Sequence, residues 1–144
     1  MSPRRITIST VGVAKGIIKL ADEGKKFNLA LSLHAPTNEQ RTKVMDITRS
    51  NPIEKVMDAI EYFYEKTGNK ITFEYILFKD LNDSYEDAIN LLRLCKRFPV
   101  FVNLIEYNPV DGLPFEKSTR ENAEMFLGVL EKAGVTVTQI EHLE

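Results

Sequence analysis

The chain has 144 residues, enough for one domain with its own core and too few for two to be expected. With 43% hydrophobic and 28% charged residues it reads as a soluble globular protein. A net charge of −2 leaves no field strong enough to gather phosphate backbones or acidic membranes by charge alone. One cysteine excludes an intrachain disulfide, and no run approaches the ~20 apolar residues of a membrane span, so a cytoplasmic protein without a membrane partner is expected.

The first segment, "RRITISTVG", is rich in β-branched residues and predicts a strand; Arg4-Arg5 reads as its solvated entry. "VAKGIIKLADEG" follows with a helical pattern that Gly16 interrupts. "NLALSLH" predicts a second strand, and a short helical turn is expected after Pro36, near Asn38 to Lys43. "SNPIEKVMDAIEYFYEKTGN" carries full helix punctuation. Asn51 is placed to be the N-cap, with Pro52 at the first helical position, Glu54 as capping-box partner and Gly68 as the stop. Its apolar residues Ile53, Val56, Met57, Ile60, Phe63 and Tyr64 recur at helical spacing.

After the strand "KITFEYILF", "DSYEDAINLLRLCKRF" predicts a helix capped by Ser84 with Asp87 in its first turn. Cys95 falls beside Leu91 and Leu92 there, as a buried structural thiol would. "VFVNLIEYNP" predicts a fourth strand, "KSTRENAEMFLGVLEKAG" a helix with Ser118 and Glu121 as its capping box, and "VTVTQI" a fifth strand.

About five strands alternating with four helices imply βαβ units, right-handed crossovers and a mostly parallel α/β sheet in a single domain over 1–144. Strand parity refines this. Leu29, Leu31 and Leu33 share one face while Ala30, Ser32 and His34 share the other, and Phe73, Tyr75 and Leu77 likewise oppose Thr72 and Glu74. A doubly wound sheet needs apolar residues on both faces; one greasy and one polar face predicts an open or partial (βα) barrel. The fourth strand departs from the pattern, since Val102 and Leu104 share parity with Glu106 and Asn108, and a bulge would restore it.

In parallel α/β proteins ligands gather at the C-terminal strand tips. Here the tips are Ser9 to Gly12, Ser32-Leu33-His34, Lys79 to Asp83 and Tyr107 to Pro109, a set suited to a polyfunctional small molecule with amino, carboxylate and ribose groups. Each has a plainer reading: His34 as a satisfied structural histidine, Asn108 as a turn initiator before Pro109, Ser9 and Thr10 as filler beside a turning Gly12. Glu74 needs a partner, either a ligand or an ion on a neighbouring strand. No G-x-G-x-x-G or Walker A loop is present, and two histidines and one cysteine cannot assemble a zinc or iron–sulfur site from this chain.

"PRRITISTVGV", "LALSLHAPTNEQR", "ITFEYILFKDLNDS" and "VNLIEYNPVDGLPFEKS", in this order, resemble the C-terminal half of the RlmN radical-SAM methyltransferases, which with their Cfr relatives methylate adenosines in RNA. The resemblance runs from about residue 3 to 138 and implies a partial (βα) barrel of the radical-SAM type. It further implies that S-adenosylmethionine is held by Ser9, by Ser32, Leu33 and His34, and by Asn108. For the parent protein it implies adenine-C2 methylation of 23S rRNA and tRNA, with a [4Fe–4S] cluster that cleaves S-adenosylmethionine to a 5′-deoxyadenosyl radical and two cysteines that carry the methyl transfer.

The family's C-x-x-x-C-x-x-C motif and its methyl-carrying cysteine have no counterpart here, so the expectation is a piece of a larger enzyme, with no catalytic residue and no metal site of its own. Leu143-Glu144 reads as a tag remnant and Met1 as an added start. The fragment is expected to be inactive alone, to bind S-adenosylmethionine weakly or not at all, and to self-associate through the unpaired edge of its first strand. Two other readings stay open: a Cfr-like C8 methyltransferase or other radical-SAM enzyme, and a non-catalytic folding or RNA-docking module.

Overall fold

The structure, a computed structural model, describes residues 6–24 and 26–141. Met1, Arg4-Arg5 and Leu143-Glu144, and with them the readings of an added start, a solvated strand entry and a tag remnant, lie outside the described residues. The chain alternates β1 (Ile6–Thr10), α1 (Ala14–Asp22), β2 (Phe27–Ser32), α2 (Asn38–Val44), α3 (Ile53–Thr67), β3 (Ile71–Leu77), α4 (Tyr85–Cys95), β4 (Phe101–Glu106), α5 (Arg120–Lys132) and β5 (Thr136–Glu141). A 3₁₀ turn over Asp46–Arg49 links α2 to α3. The four expected helices are therefore joined by a fifth, α2, in place of the short turn after Pro36.

All strand pairs are parallel and the order is β1-β2-β3-β4-β5. Right-handed crossovers that always step to the same side put α1, α3, α4 and α5 on one face of the sheet, while α2 sits at the tip of β2 through Arg41. That face is the greasy one. Leu29, Leu31, Ile71, Phe73, Tyr75, Val102 and Leu104 pack there with Ile17 of α1, Met57, Ile60 and Phe63 of α3, Leu91 of α4, and Phe126 and Leu130 of α5. At about 25 cal/mol per Å² of apolar surface buried, each such side chain contributes roughly 1.5–3 kcal/mol, so this one layer supplies the fold's driving force.

β4 needs no bulge. Its register runs unbroken, with Val102, Leu104 and Glu106 opposite Phe73, Tyr75 and Leu77. Glu106 keeps the parity of the core face because it sits at the strand's last position, where its carboxylate pairs with Lys117.

Two helix starts differ from their local punctuation. Asn51 does not cap α3: its Oδ1 accepts from the backbone N–H of Ala14, 3.0 Å away, and so caps α1. The first N–H of α3, at Ile53, instead donates to Asn38 Oδ1 at 2.7 Å. α5 is capped by Thr119, which accepts from Asn122 N, while Ser118 donates to Asp83 at 2.6 Å. In both cases a side chain with a tertiary donor or acceptor within reach leaves the local one. The capping box of Ser84 and Asp87 on α4 forms as expected, and Gly68 ends α3 at φ 65°, where a Cβ would be strained. Cys95 packs at the edge of the core, and burial pushes its thiol up to about 12, a structural role.

Candidate functional site at the strand tips

The helix-free face presents Ser9, Ala30, Ser32, Thr72, Glu74 and Asn103 by register. Ser9 lies opposite Ala30, so it stands one row below Ser32 on the adjacent strand; Ser9 is exposed and Ser32 half-buried. His34 lies two residues past Ser32, beyond the end of β2. Asn108, half-buried, follows β4, with β3 between it and the β2 tip. Leu33 differs from the rest: it is fully buried among the core residues and could meet a ligand only through its backbone.

That backbone is already committed. Leu33 N–H donates to Glu74 O at 3.0 Å, and Leu33 O accepts from Arg41 Nε at 3.0 Å. A parallel ladder would next use Leu33 O to receive the N–H of Ile76. His34 Nδ1 receives it instead, at 3.0 Å. To swing its ring over β3, His34 adopts φ 58°, a left-handed conformation uncommon outside glycine and costly unless its surroundings hold it.

Two residues hold it. Asn82, fully buried, donates from Nδ2 to His34 O at 2.6 Å and to Ile76 O at 2.7 Å, and accepts at Oδ1 from Phe78 N–H at 2.8 Å. Its place among the rim candidates is thereby that of an internal latch. Arg41, on α2, is also fully buried; besides Leu33 O it donates to Val11 O at 2.6 Å, Ser32 O at 2.9 Å and Thr48 Oγ1 at 3.3 Å. One guanidinium thus binds the loop after β1 to the end of β2. The fit is close: a Cβ on Gly12, at φ 98°, would stand 3.0 Å from Arg41 Nη2. Thr10 serves the same turn, its Oγ1 accepting from Gly12 N–H.

The electrostatics follow. Burial, with the Arg41 charge adding to it, lowers His34 from 6.5 to about 4, so at neutral pH the ring is uncharged. With Nδ1 used as an acceptor, its proton sits on Nε2, which points no bond at any described residue and can donate to a ligand. Burial lowers Arg41 to about 10, leaving it charged. Sequence reasoning missed Arg41, because an arginine inside "TNEQRTK" has the local look of a solvated helix face.

No family model matches the chain. A protein of Christiangramia forsetii named "Probable dual-specificity RNA methyltransferase RlmN" is 51% identical over 96% of this chain and 39% of its own length. Its namesake in Listeria monocytogenes is 47% identical over 96% of this chain and 39% of its own. The chain is similar to RlmN proteins along almost its whole length. It spans about two fifths of those RlmN relatives. The crystal structure of a radical SAM methyltransferase from Sphaerobacter thermophilus superposes with TM-score 0.92 at 35% identity, covering 98% of this chain and 41% of that one. A domain of pyruvate-formate lyase-activating enzyme from Bacteroides vulgatus shares the fold alone, with TM-score 0.73 at 14% identity. The parallel sheet with one helical layer is therefore the partial barrel of the radical-SAM type.

The described residues offer no group of three or more metal-ligating side chains, and Cys95 lies on the helix side of the sheet, so this chain's residues do not fit an iron–sulfur cluster. They do fit a nucleoside-containing amino acid. The hydroxyls of Ser9 and Ser32 lie on the helix-free side of the sheet, and the neutral Nε2–H donor sits on a strained, firmly held tip two residues beyond Ser32.

Proposed function

We propose that this chain is the C-terminal part of an RlmN-type radical-SAM RNA methyltransferase acting at adenine C2 of 23S rRNA and tRNA in the cytoplasm. In this reading it furnishes part of the S-adenosylmethionine cradle, and the cluster and methyl-carrying cysteines lie elsewhere in the protein. The observation that carries the proposal is the match in position between the family's binding pattern and the tip geometry. Ser9, Ser32, His34 and Asn108 fall at the tips of β1, β2 and β4, and His34 is the one held in left-handed backbone by a dedicated latch. S-adenosylmethionine supplies the methyl group when bound. Ser9, Ser32 and Asn108 orient it by hydrogen bonds, and His34 donates from Nε2. Leu33 contributes by its position in the tripeptide and through no free group of its own.

The test uses the full-length protein. Expressed in a strain lacking the modification, it should restore 2-methyladenosine in 23S rRNA and tRNA, and Ser32→Ala should weaken S-adenosylmethionine binding roughly tenfold, about one hydrogen bond's worth. Appearance of 8-methyladenosine would move the protein to the Cfr-like reading; unmodified RNA together with wild-type affinity in the variant would remove the assignment. For the chain as given, the edges of β1 and β5 have no strand beside them among the described residues, and concentration-dependent self-association is part of the same reading.

A further inference from the structure

One row across the helix-free face reads Ser32, Glu74, Asn103 and Thr138 by register, and Glu74 is its only ionisable member. A carboxylate on a central strand ordinarily owes its place to a cation or to several donors. Glu74 has neither. Its strand neighbours Ser32 and Asn103 are neutral, and no described residue gives its carboxylate a hydrogen bond or an ion pair. The ion pair with a neighbouring strand, one of two explanations the sequence allows, is thus not present among the described residues.

The backbone beneath that side chain is, by contrast, anchored. Glu74 O accepts from both Leu33 N–H at 3.0 Å and His34 N–H at 3.3 Å. The side chain opposite Phe73 and Tyr75, both fully buried, is itself half-buried. A fixed backbone carrying an unpartnered, partly desolvated acceptor beside Ser32 is how a binding group is presented before its ligand arrives, since little further ordering is needed.

We infer that Glu74 is a ligand-binding residue whose carboxylate accepts hydrogen bonds from the donor groups of the nucleoside portion of the molecule seated against Ser32. The inference rests on the S-adenosylmethionine reading above and adds a residue to it. The ligand's matching groups are its ribose hydroxyls and exocyclic amine, all donors; a carboxylate is acceptor-only, and a charge-assisted bond is stronger than the neutral ones of Ser9 and Ser32.

The experiment is calorimetry on the full-length, cluster-loaded protein with S-adenosylmethionine and with S-adenosylhomocysteine, whose sulfur is uncharged, beside thermal melts without ligand. Glu74→Ala should weaken both ligands at least tenfold and leave the ligand-free melting temperature unchanged, with Glu74→Gln, which keeps an acceptor, falling between. Unaltered affinity for both ligands, in a protein where Ser32→Ala does weaken them, would overturn the inference and leave the broader reading standing. A loss confined to S-adenosylmethionine would replace it with charge pairing to the sulfonium. A Glu74→Ala protein that melts lower without ligand, or fails to fold, marks a structural partner and overturns it too. Wild-type protein that binds neither ligand takes down both readings.

Discussion

The tips of β2 and β4 stand two strands apart on the same rim, and they are built on opposite principles. At β2 most of the backbone around the tip is matched by side chains: Arg41 for the carbonyls of Val11, Ser32 and Leu33, Asn82 for those of His34 and Ile76, and the His34 ring for Ile76 N–H, while Leu33 and His34 N–H donate to Glu74 O. At β4 the chain leaves Glu106 into a long connection held by rings and, near its end, by a backbone bridge of Lys117 to Phe78 and the bond of Lys79 N–H to Glu116 O. Phe78 packs against Tyr107 and Phe115 with centroids 4.9 and 4.8 Å apart. Beside it lies a cleft of about 980 Å³, lined by Tyr107, Lys117, Arg120 and Gln139 among others. The Tyr107 hydroxyl is buried with no partner among the described residues. A directional network fixes geometry to a fraction of an ångström, whereas stacked rings tolerate sliding. The β2 tip is thus preorganised, and the β4 tip remains open to adjustment by whatever occupies the cleft.

The largest effect should come from cutting the β2 network at its hub. Arg41→Met removes the donor to three carbonyls in a buried site, where each unsatisfied group costs about 1–3 kcal/mol, so a loss on the order of 3–5 kcal/mol is expected from urea unfolding. Arg41→Lys should recover only a minority of it, because an ammonium cannot reproduce the fork. A loss under about 1 kcal/mol would erase the contrast between the two tips.

A smaller effect lies in pH. His34 titrates near 6.5 when unfolded and at about 4 when folded, so below pH 6.5 the unfolded chain binds the additional proton and stability falls as pH falls, until about pH 4. Between pH 7 and 5 this amounts to about 2 kcal/mol. His34→Asn, which tolerates the left-handed backbone, should flatten that portion of the profile. Equal slopes in wild type and variant would show that the ring is not held neutral.

The smallest effect belongs to β4. Tyr107→Phe removes an unpartnered hydroxyl and should leave stability unchanged or raise it by up to about 1 kcal/mol. A clear loss would mean that the hydroxyl is partnered after all and that the β4 tip is wired like β2.

Most of the architecture was legible because it depends on local signals. The greasy parity of Leu29, Leu31, Phe73 and Tyr75, the Ser84 and Asp87 capping box and the Gly68 stop all read through. The two misread caps and the overlooked arginine share one cause. Asn51, Ser118 and Arg41 each make their decisive bond to residues well away from their own turn, 37 residues away for Asn51 and 35 for Ser118. A polar side chain's partner is set by tertiary proximity, which single-sequence patterns do not encode. The tip residues Ser32 and His34 were visible by parity; the left-handed turn of His34 was not, since nothing nearby in the chain demands it.

The sequential strand order has a consequence for how the chain reaches this structure. Because each strand pairs with the strand before it, every closure of the sheet spans a single βα unit, and no strand waits for a distant one to be made. Topologies of this kind keep loop-closure entropy small at each step. Among these five strands each βα unit can add in turn onto the edge left by the one before it, so this part of the sheet can assemble in the direction of synthesis. The long-range bond of Asn51 to Ala14 would then act late, closing α1 only after the start of α3 has emerged.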